Sequence, residues 1–308
     1  MIADPYPSPH DPTAREGRLG VGVVSAGRVG AVLGAALRAA GHQVVGVHAV
    51  SEASRTRAEA LLDGVPMLEV PEIFRRSELV LLAVPDDVLA EVASGAAEAG
   101  CIPAGQLIVH TSGRFGTEVL APARDRGAIP LAIHPAMTFT GLSMDLQRLS
   151  ACSFAVTAAA PMLPIAQALV VEMGGDPVVV AESDRGLYHA ALAHASNHLN
   201  TVAGQSAELL QSIGIEQADR VLAPLMQASL DNALASGAGA LTGPVARGDV
   251  GTVAHHVRVL AEAEAAGTLP ADLRSAYTAM ARATAQRAVD RGLISEATAA
   301  ELLDALAG

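Results

Sequence analysis

The sequence predicts an α/β fold, a doubly wound and mostly parallel sheet, followed by an all-α C-terminal domain. Short apolar, β-branched runs alternate with Ala-rich helical stretches from Leu19 to Val180, which is the rhythm of βαβ units. After Val180 only helical periodicity remains. The chain has 308 residues, 51% hydrophobic and 17% charged, enough for two domains with a large core. The expected parts are a flexible tail at 1–18, a sheet domain at 19–181 and a helical domain at 182–308, with the boundary near Ala181 to Asp184.

The elements follow in order. Leu19 to Val24 reads as a strand, and the Ala-rich segment ending at Ala40 as a helix stopped by Gly41. Gln43 to Val50 is a second strand. Ser54 to Leu62 is a second helix, with Ser51 or Ser54 as its N-cap. Glu78 to Val84 is almost wholly apolar, as in a strand buried on both faces. Helix Asp87 to Gly100, strand Gln106 to His110, strand Gly127 to Ile133, strand Cys152 to Thr157, a helix near Pro161 to Met173 and strand Pro177 to Val180 complete the sheet domain. Helices are expected from Ser183 to about Ile213, Arg220 to Ser236, Thr252 to Ala266, Leu273 to Arg291 and Ser295 to Leu306.

Composition narrows the function. A net charge of −12 gives no basic field for nucleic acid or an anionic membrane. All 20 basic residues are arginine, so no lysine can serve as proton donor, Schiff base or phosphate clamp. Two cysteines, Cys101 and Cys152, form neither a disulfide framework nor a metal motif, which fits a reduced cytoplasmic setting. No apolar run is long enough to span a membrane, and the Pro-rich start of the chain lacks the apolar stretch of a signal peptide.

The first strand runs into Ser25-Ala26-Gly27-Arg28-Val29-Gly30, an approximation to G-x-G-x-x-G with Ser25 in the first glycine position. Such a turn delivers the chain into a helix whose free N–H groups and dipole face a pyrophosphate. In the Rossmann fold, and in this position after a first strand, the motif predicts dinucleotide binding through Ser25, Ala26, Gly27, Arg28 and Val29. Gly27 lets the backbone approach the phosphates, and Gly30 and Gly34 let helix sit on strand. Ser25 is expected in an ordinary backbone conformation with its hydroxyl free for a phosphate. The tip of the second strand, Ala49-Val50-Ser51, has no acid to hold a ribose 2′-hydroxyl, although Glu52 is next. Ser51, Arg55 and Arg57 favour a 2′-phosphate, hence NADP over NAD.

Ligands in open α/β sheets lie beyond the carboxyl ends of the strands. Val84-Pro85-Asp86, His110-Thr111-Ser112-Gly113 and His134-Pro135 stand there. Val84, Pro85 and Ser112 are therefore expected along the cofactor and His134 in the active region. In the long helix, His194, Asn197, Thr201 and Gly204 share one stripe, the pattern of a helix facing a cleft. His189, His194 and His198 lack the carboxylate partners of a metal site, and none is expected. In the loop Leu241 to Asp249, Arg247 could clamp a substrate carboxylate, and Asp249 could orient it or cap the next helix.

Taken together, Ala26-Gly27-Arg28-Val29-Gly30, Ala83-Val84-Pro85-Asp86, His110-Thr111-Ser112-Gly113, His134-Pro135 with Thr138-Phe139, Tyr188-His189 with Ser196-Asn197, and Thr242 to Asp249 resemble the bacterial Rossmann-like proteins that carry a C-terminal domain of unknown function. The resemblance covers about residues 19 to 308. That group is similar to the 6-phosphogluconate, ketopantoate, pyrroline-5-carboxylate and 3-hydroxyisobutyrate reductases and dehydrogenases. It implies an NADP-dependent reductase with catalysis between the domains and a homodimer through the helical one. Several such relatives place a lysine a few residues before an asparagine. Asn197 matches the asparagine, but Ala193 and His194 occupy the lysine region. The resemblance thus leaves His134 or His194 as proton donor, because imidazole titrates near neutral pH, or a water held by Asn197. The leading expectation is hydride transfer from NADPH to a small 2-oxo acid, ketopantoate by resemblance, with Arg247 on the carboxylate and Asn197, aided by Thr201, on the oxo group. The alternatives are imine reduction and a non-catalytic dinucleotide sensor or scaffold.

Overall fold

The computed structural model describes residues 18–307. The tail expected at 1–18 lies outside them except for Arg18, which is ion-paired with Glu172.

Strand β1 (Gly20–Val24) leads into helix α1 (Arg28–Ala39), which ends before Gly41 at φ +100°, a backbone angle that glycine adopts freely. Strand β2 (Gln43–His48) is shorter than expected, because Ser51 begins the next helix: its side chain accepts the Ser54 N–H at 3.2 Å and caps α2 (Glu52–Leu61). There follow α3 (Val70–Arg76), β3 (Leu79–Leu82), α4 (Asp86–Glu98), β4 (Leu107–His110), the short α5 (Ala121–Arg124), β5 (Ile129–Pro135), α6 (Met144–Arg148), β6 (Ser153–Thr157), α7 (Leu163–Glu172) and β7 (Asp176–Val179). Helices α3, α5 and α6 have no counterpart among the elements expected from the sequence. Each is under two turns, too short for a helical period to repeat.

The strands form one sheet in the order β2-β1-β3-β4-β5-β6-β7, parallel throughout except where β5 meets β6. Successive side chains of a strand face opposite sides, and the core divides accordingly. Val21, Val23, Leu79, Leu81 and Val109 pack with Leu33 of α1 and Leu169 of α7 on one face. Val24, Val80, Leu82 and Ile108 pack with Phe74 of α3 and Leu89 of α4 on the other. This is the doubly wound arrangement that the alternation predicts.

The rest is helical: α8 (Arg185–Ser212), α9 (Ala218–Ser236), α10 (Val250–Ala265), α11 (Ala271–Asp290) and α12 (Glu296–Ala305), the last capped by Ser295 as expected. Val253, Val257, Ala281, Ala285 and Leu302 make a separate small core. Two compact units meet at the Ala193/His194 step, inside α8. The boundary expected near Ala181 to Asp184 lies just ahead of that helix. Among the described residues no helix is long and apolar enough to cross a membrane, and no group of three or more potential ligands gathers for a metal.

Candidate functional site

The turn between β1 and α1 is built from backbone. The N–H groups of Ser25 and Ala26 both donate to His48 O, at 3.1 and 2.9 Å, so those two amides are spent on the tip of β2. Ala31 is the residue whose N–H bonds back to Gly27 O, at 3.2 Å. The amides of Arg28, Val29 and Gly30 therefore belong to the open first turn of α1. A methyl group on Gly30 would stand 2.1 Å from Ser25 O and 2.8 Å from Ala83 Cβ, and one on Gly34 2.9 Å from Val23 Cγ2. These glycines do set helix against strand. Among the described residues a methyl on Gly27 would meet only Ser25 Oγ, at an ordinary 3.6 Å, so none of them requires glycine there.

Ser25 corrects an expectation. Its φ is +77°, the one left-handed non-glycine among the described residues, not an ordinary conformation. The double hydrogen bond to His48 O and the close approach of Gly30 to its carbonyl hold the turn in the shape that glycine would take freely.

At the tip of β2, Ser51 serves as helix cap and its hydroxyl bonds Ser54 Oγ at 3.0 Å. Exposed Arg55 reaches back to Ala49 O at 3.4 Å. Arg57 and Arg28 both border the Gly141 loop: a methyl on Gly141 would lie 2.9 Å from Arg57 Nε and 3.1 Å from Arg28 Cγ. Buried Asp145 fixes this loop by accepting from Thr140 N, Thr140 Oγ1 and Gly141 N at 2.7, 3.0 and 2.8 Å. Among the described residues neither Arg28 nor Arg57 has an acidic partner. Two cationic side chains thus border the Gly141 loop, one of them from the first residue of α1.

Beyond β3, Val84 is half-buried and Pro85 exposed at the N-cap of α4. Beyond β4, the loop is pinned. Ser112 N–H donates to His110 Nδ1 at 3.2 Å, which puts the imidazole proton on Nε2, where it is donated to Gly116 O at 2.7 Å. Ser112 Oγ is taken up by the N–H groups of Arg114 and Phe115, each at 3.2 Å. Glu182 closes the loop from outside by accepting Thr117 N–H at 2.7 Å.

Beyond β5, His134 Nδ1 is 2.8 Å from Tyr188 Oη, and the ring also meets His189 edge-on at 6.4 Å. A methyl on Gly113 would be 2.9 Å from both His134 Nε2 and His189 Cδ2. The ends of β4 and β5 and the first turns of α8 therefore meet in one cluster. Arg185 holds it together. This guanidinium is 1% exposed and donates to Thr157 Oγ1 at 2.7 Å, Ala132 O at 2.9 Å, Ala155 O at 3.2 Å and Ser112 O at 3.4 Å. Neither Arg185 nor Tyr188 was a candidate from sequence; an arginine opening a helix carries no periodic signal.

Burial, then Arg185, then His189 push the His134 pKa down to about 4, and burial foremost takes His110 to about 4 as well. His134 is thus neutral at pH 7, contrary to the expectation of a side chain titrating near neutrality. The sign of the linkage follows. Between pH 6.5 and 4 the unfolded chain binds protons at these imidazoles that the folded chain refuses, so stability is full above that window and falls as pH drops through it. For fully buried His110 the loss approaches about 3 kcal/mol at pH 4. Urea midpoints measured from pH 7 to 4.5 should fall, and His110→Gln should flatten the slope; a flat wild-type profile would contradict the assignment.

In the helical unit, Asp249 is the cap of α10, accepting Thr252 N–H at 3.0 Å and Thr252 Oγ1 at 2.7 Å. Arg247 is exposed. His194, Asn197 and Thr201 are exposed on α8; His194 is paired with His198 at 2.7 Å, and Thr201 Oγ1 bonds back to Asn197 O at 3.2 Å. Asn197 and His194 are on the same helix as Tyr188 but in the second compact unit. That unit also holds a cavity of about 380 Å³ whose wall includes Gln205, Thr242, Tyr277 and Met280, with His256 bonded to Tyr277 Oη at 2.8 Å. Among the described residues no arginine lines it.

Comparison with known proteins fits this description. Residues 6–135 match the model of a Rossmann-like domain, and residues 152–284 match a domain of unknown function, DUF2520. No curated protein matches the chain. Among solved structures, a candidate NADP oxidoreductase from Bacteroides fragilis is 21% identical, covering 87% of this chain and 98% of its own, at a TM-score of 0.71. An imine reductase from Streptomyces aurantiacus is 19% identical over 92% of this chain and 99% of that one, TM-score 0.56. An imine reductase variant from Myxococcus stipitatus in complex with NAD+ is 18% identical over 93% and 99%, TM-score 0.58. At these identities the likeness is one of fold. Two family models in succession thus match most of the chain, a Rossmann-like domain followed by DUF2520.

Proposed function

We propose that the chain is an NAD(P)-dependent oxidoreductase that holds its dinucleotide on the β1–α1 turn and delivers hydride to a C=O or C=N bond. The turn carries the reading. Among the described residues Gly27 has no neighbour that demands glycine, the amides behind it sit in the open first turn of α1, and Arg28 and Arg57, which border the nearby Gly141 loop, have no acidic partner. That geometry suits a pyrophosphate. The similar folds of an NADP oxidoreductase and of an imine reductase with NAD+ bound agree with it. If neither coenzyme changes protein fluorescence or melting temperature, the reading fails.

NADP is the favoured coenzyme. The tip of β2 offers no acid, and Arg57, not Arg55, stands beside Arg28. A charge-assisted hydrogen bond contributes about 1.5–3 kcal/mol, so Arg57→Ala should weaken NADPH binding roughly 10- to 100-fold and leave NADH nearly unchanged. Equal losses in fluorescence titrations with the two coenzymes would place Arg57 away from the 2′-phosphate.

For the substrate, a 2-oxo acid such as ketopantoate needs a cation for its carboxylate, and Arg247 is the candidate, with Asn197 and Thr201 on the oxo group. The cavity of the helical unit supports a second reading. Its wall has hydrogen-bonding groups but, among the described residues, no arginine, which suits a neutral ketone or an imine better. Turnover of ketopantoate but not of 2-methyl-1-pyrroline would reject the imine. A homodimer is part of the proposal, because Val221, Leu225 and Leu234 on α9 are 45%, 61% and 77% exposed; sedimentation as a monomer would remove it. Two buried free cysteines are consistent with a cytoplasmic setting.

A further inference from the structure

A reductase without lysine takes its proton from another side chain or from a held water, and the cluster beyond β4 and β5 supplies a phenol. We infer that Tyr188 is the proton donor of the reduction and that His134 is the positioning residue that aims it. The inference rests on the dinucleotide reading above.

The geometry is specific. Tyr188 lies one turn into α8, on a helix whose first residue, Arg185, is anchored to the sheet by four acceptors. Its Oη is held at 2.8 Å by His134 Nδ1, at the carboxyl end of β5. Tyr188 is only half-buried, so its hydroxyl is not sealed in the core. The titratable and charged groups around the pair are Arg185, His189, His110, Asp86, Glu182 and Cys152. The Arg185 guanidinium carbon is 6.0 Å from the centre of the phenol ring, where it stabilises a phenolate. His134, neutral at pH 7, has one ring proton. With that proton on Nδ1 it donates to Tyr188 Oη and leaves the phenol O–H free to point outward.

The step balances. As hydride from the reduced nicotinamide dinucleotide forms a C–H bond, the π pair of the C=O or C=N bond moves to the heteroatom. Tyr188 Oη gives that atom its proton, and the phenolate accepts the His134 Nδ1 hydrogen bond until solvent returns a proton. The group reduced is the C=O or C=N, the group oxidised is the dinucleotide, and the side chains end as they began.

The chain has three tyrosines, Tyr6, Tyr188 and Tyr277, so full-length protein labelled with ¹³C at tyrosine Cζ should give three resonances, with Tyr188→Phe assigning one. Adding NADP+ should move the titration of the Tyr188 signal to lower pH, because a donor role would put the cationic nicotinamide near the phenol, and leave Tyr277 in place. His134→Gln should shift Tyr188 as well. Tyr188→Phe should keep NADPH binding within about threefold and slow NADPH consumption about 100-fold or more, the range for lost general-acid catalysis, on whichever of ketopantoate and 2-methyl-1-pyrroline the wild type reduces. A Tyr188 resonance that ignores saturating NADP+, with binding proven by fluorescence, overturns the inference and spares the dinucleotide reading. Failure to bind either coenzyme defeats both.

Discussion

Gly30→Ala should destabilise the protein by about 3 kcal/mol, at the upper end of what overpacking costs, and abolish dinucleotide binding. Helix propensity alone predicts the opposite sign, since alanine is favoured over glycine inside a helix by about 1 kcal/mol. The tertiary contact decides. The new methyl would stand 2.1 Å from the Ser25 carbonyl oxygen, a backbone atom with no rotamer to move, and 2.8 Å from Ala83 Cβ. Relief requires α1 to lift from the turn, which separates the amides of Arg28 and Val29 from their place at the sheet edge. Gly95 is the internal control. It lies in α4, exposed and with nothing near a new methyl, so Gly95→Ala should gain about 0.5–1 kcal/mol. Urea unfolding with m-values compared checks both. A Gly30→Ala protein that keeps wild-type stability and NADPH affinity would contradict the turn as described.

Arg185→Met should have a comparable effect by a different route. The substitution keeps the apolar bulk and removes five donors from a site 1% exposed. Thr157 Oγ1 and the carbonyls of Ala132, Ala155 and Ser112 would lose charge-assisted partners. Hydrogen bonds to a charged group contribute about 1.5–3 kcal/mol. The buried charge itself is costly to desolvate, and its loss offsets part of that, so the net destabilisation should be about 3 kcal/mol. Two further readouts separate this from simple loss of packing. The His134 pKa should rise from about 4, because Arg185 is the second cause of its depression, after burial. The Tyr188 pKa, which burial raises and Arg185 lowers, should climb further. An Arg185→Met protein whose His134 titrates unchanged would show that the guanidinium does not govern the cluster.

Much of the fold was legible in the chain. The alternation of apolar runs with helical stretches gave seven strands and their mostly parallel order, and Gly41 and Ser295 marked helix ends where the structure has them. These are local signals, set by periodicity and by backbone freedom within a few residues. The short helices α3, α5 and α6 escaped because under two turns no period can be read. The site divided in the same way. The Ser25 to Gly30 turn and His134 at a strand end were visible because position along a βαβ unit fixes which end of a strand meets a ligand.

The sequence by itself determined the class of fold, the place of the glycine turn between β1 and α1 and the lack of any lysine for chemistry. Tertiary structure alone decided that Ser25 is left-handed, that Arg57 rather than Arg55 joins Arg28, and that His134 is neutral and bonded to Tyr188. Each of these depends on groups far apart in the chain, such as His48 on Ser25, Gly141 against Arg57 and Arg185 beside His134. Burial and charge act through space, so no local pattern records them.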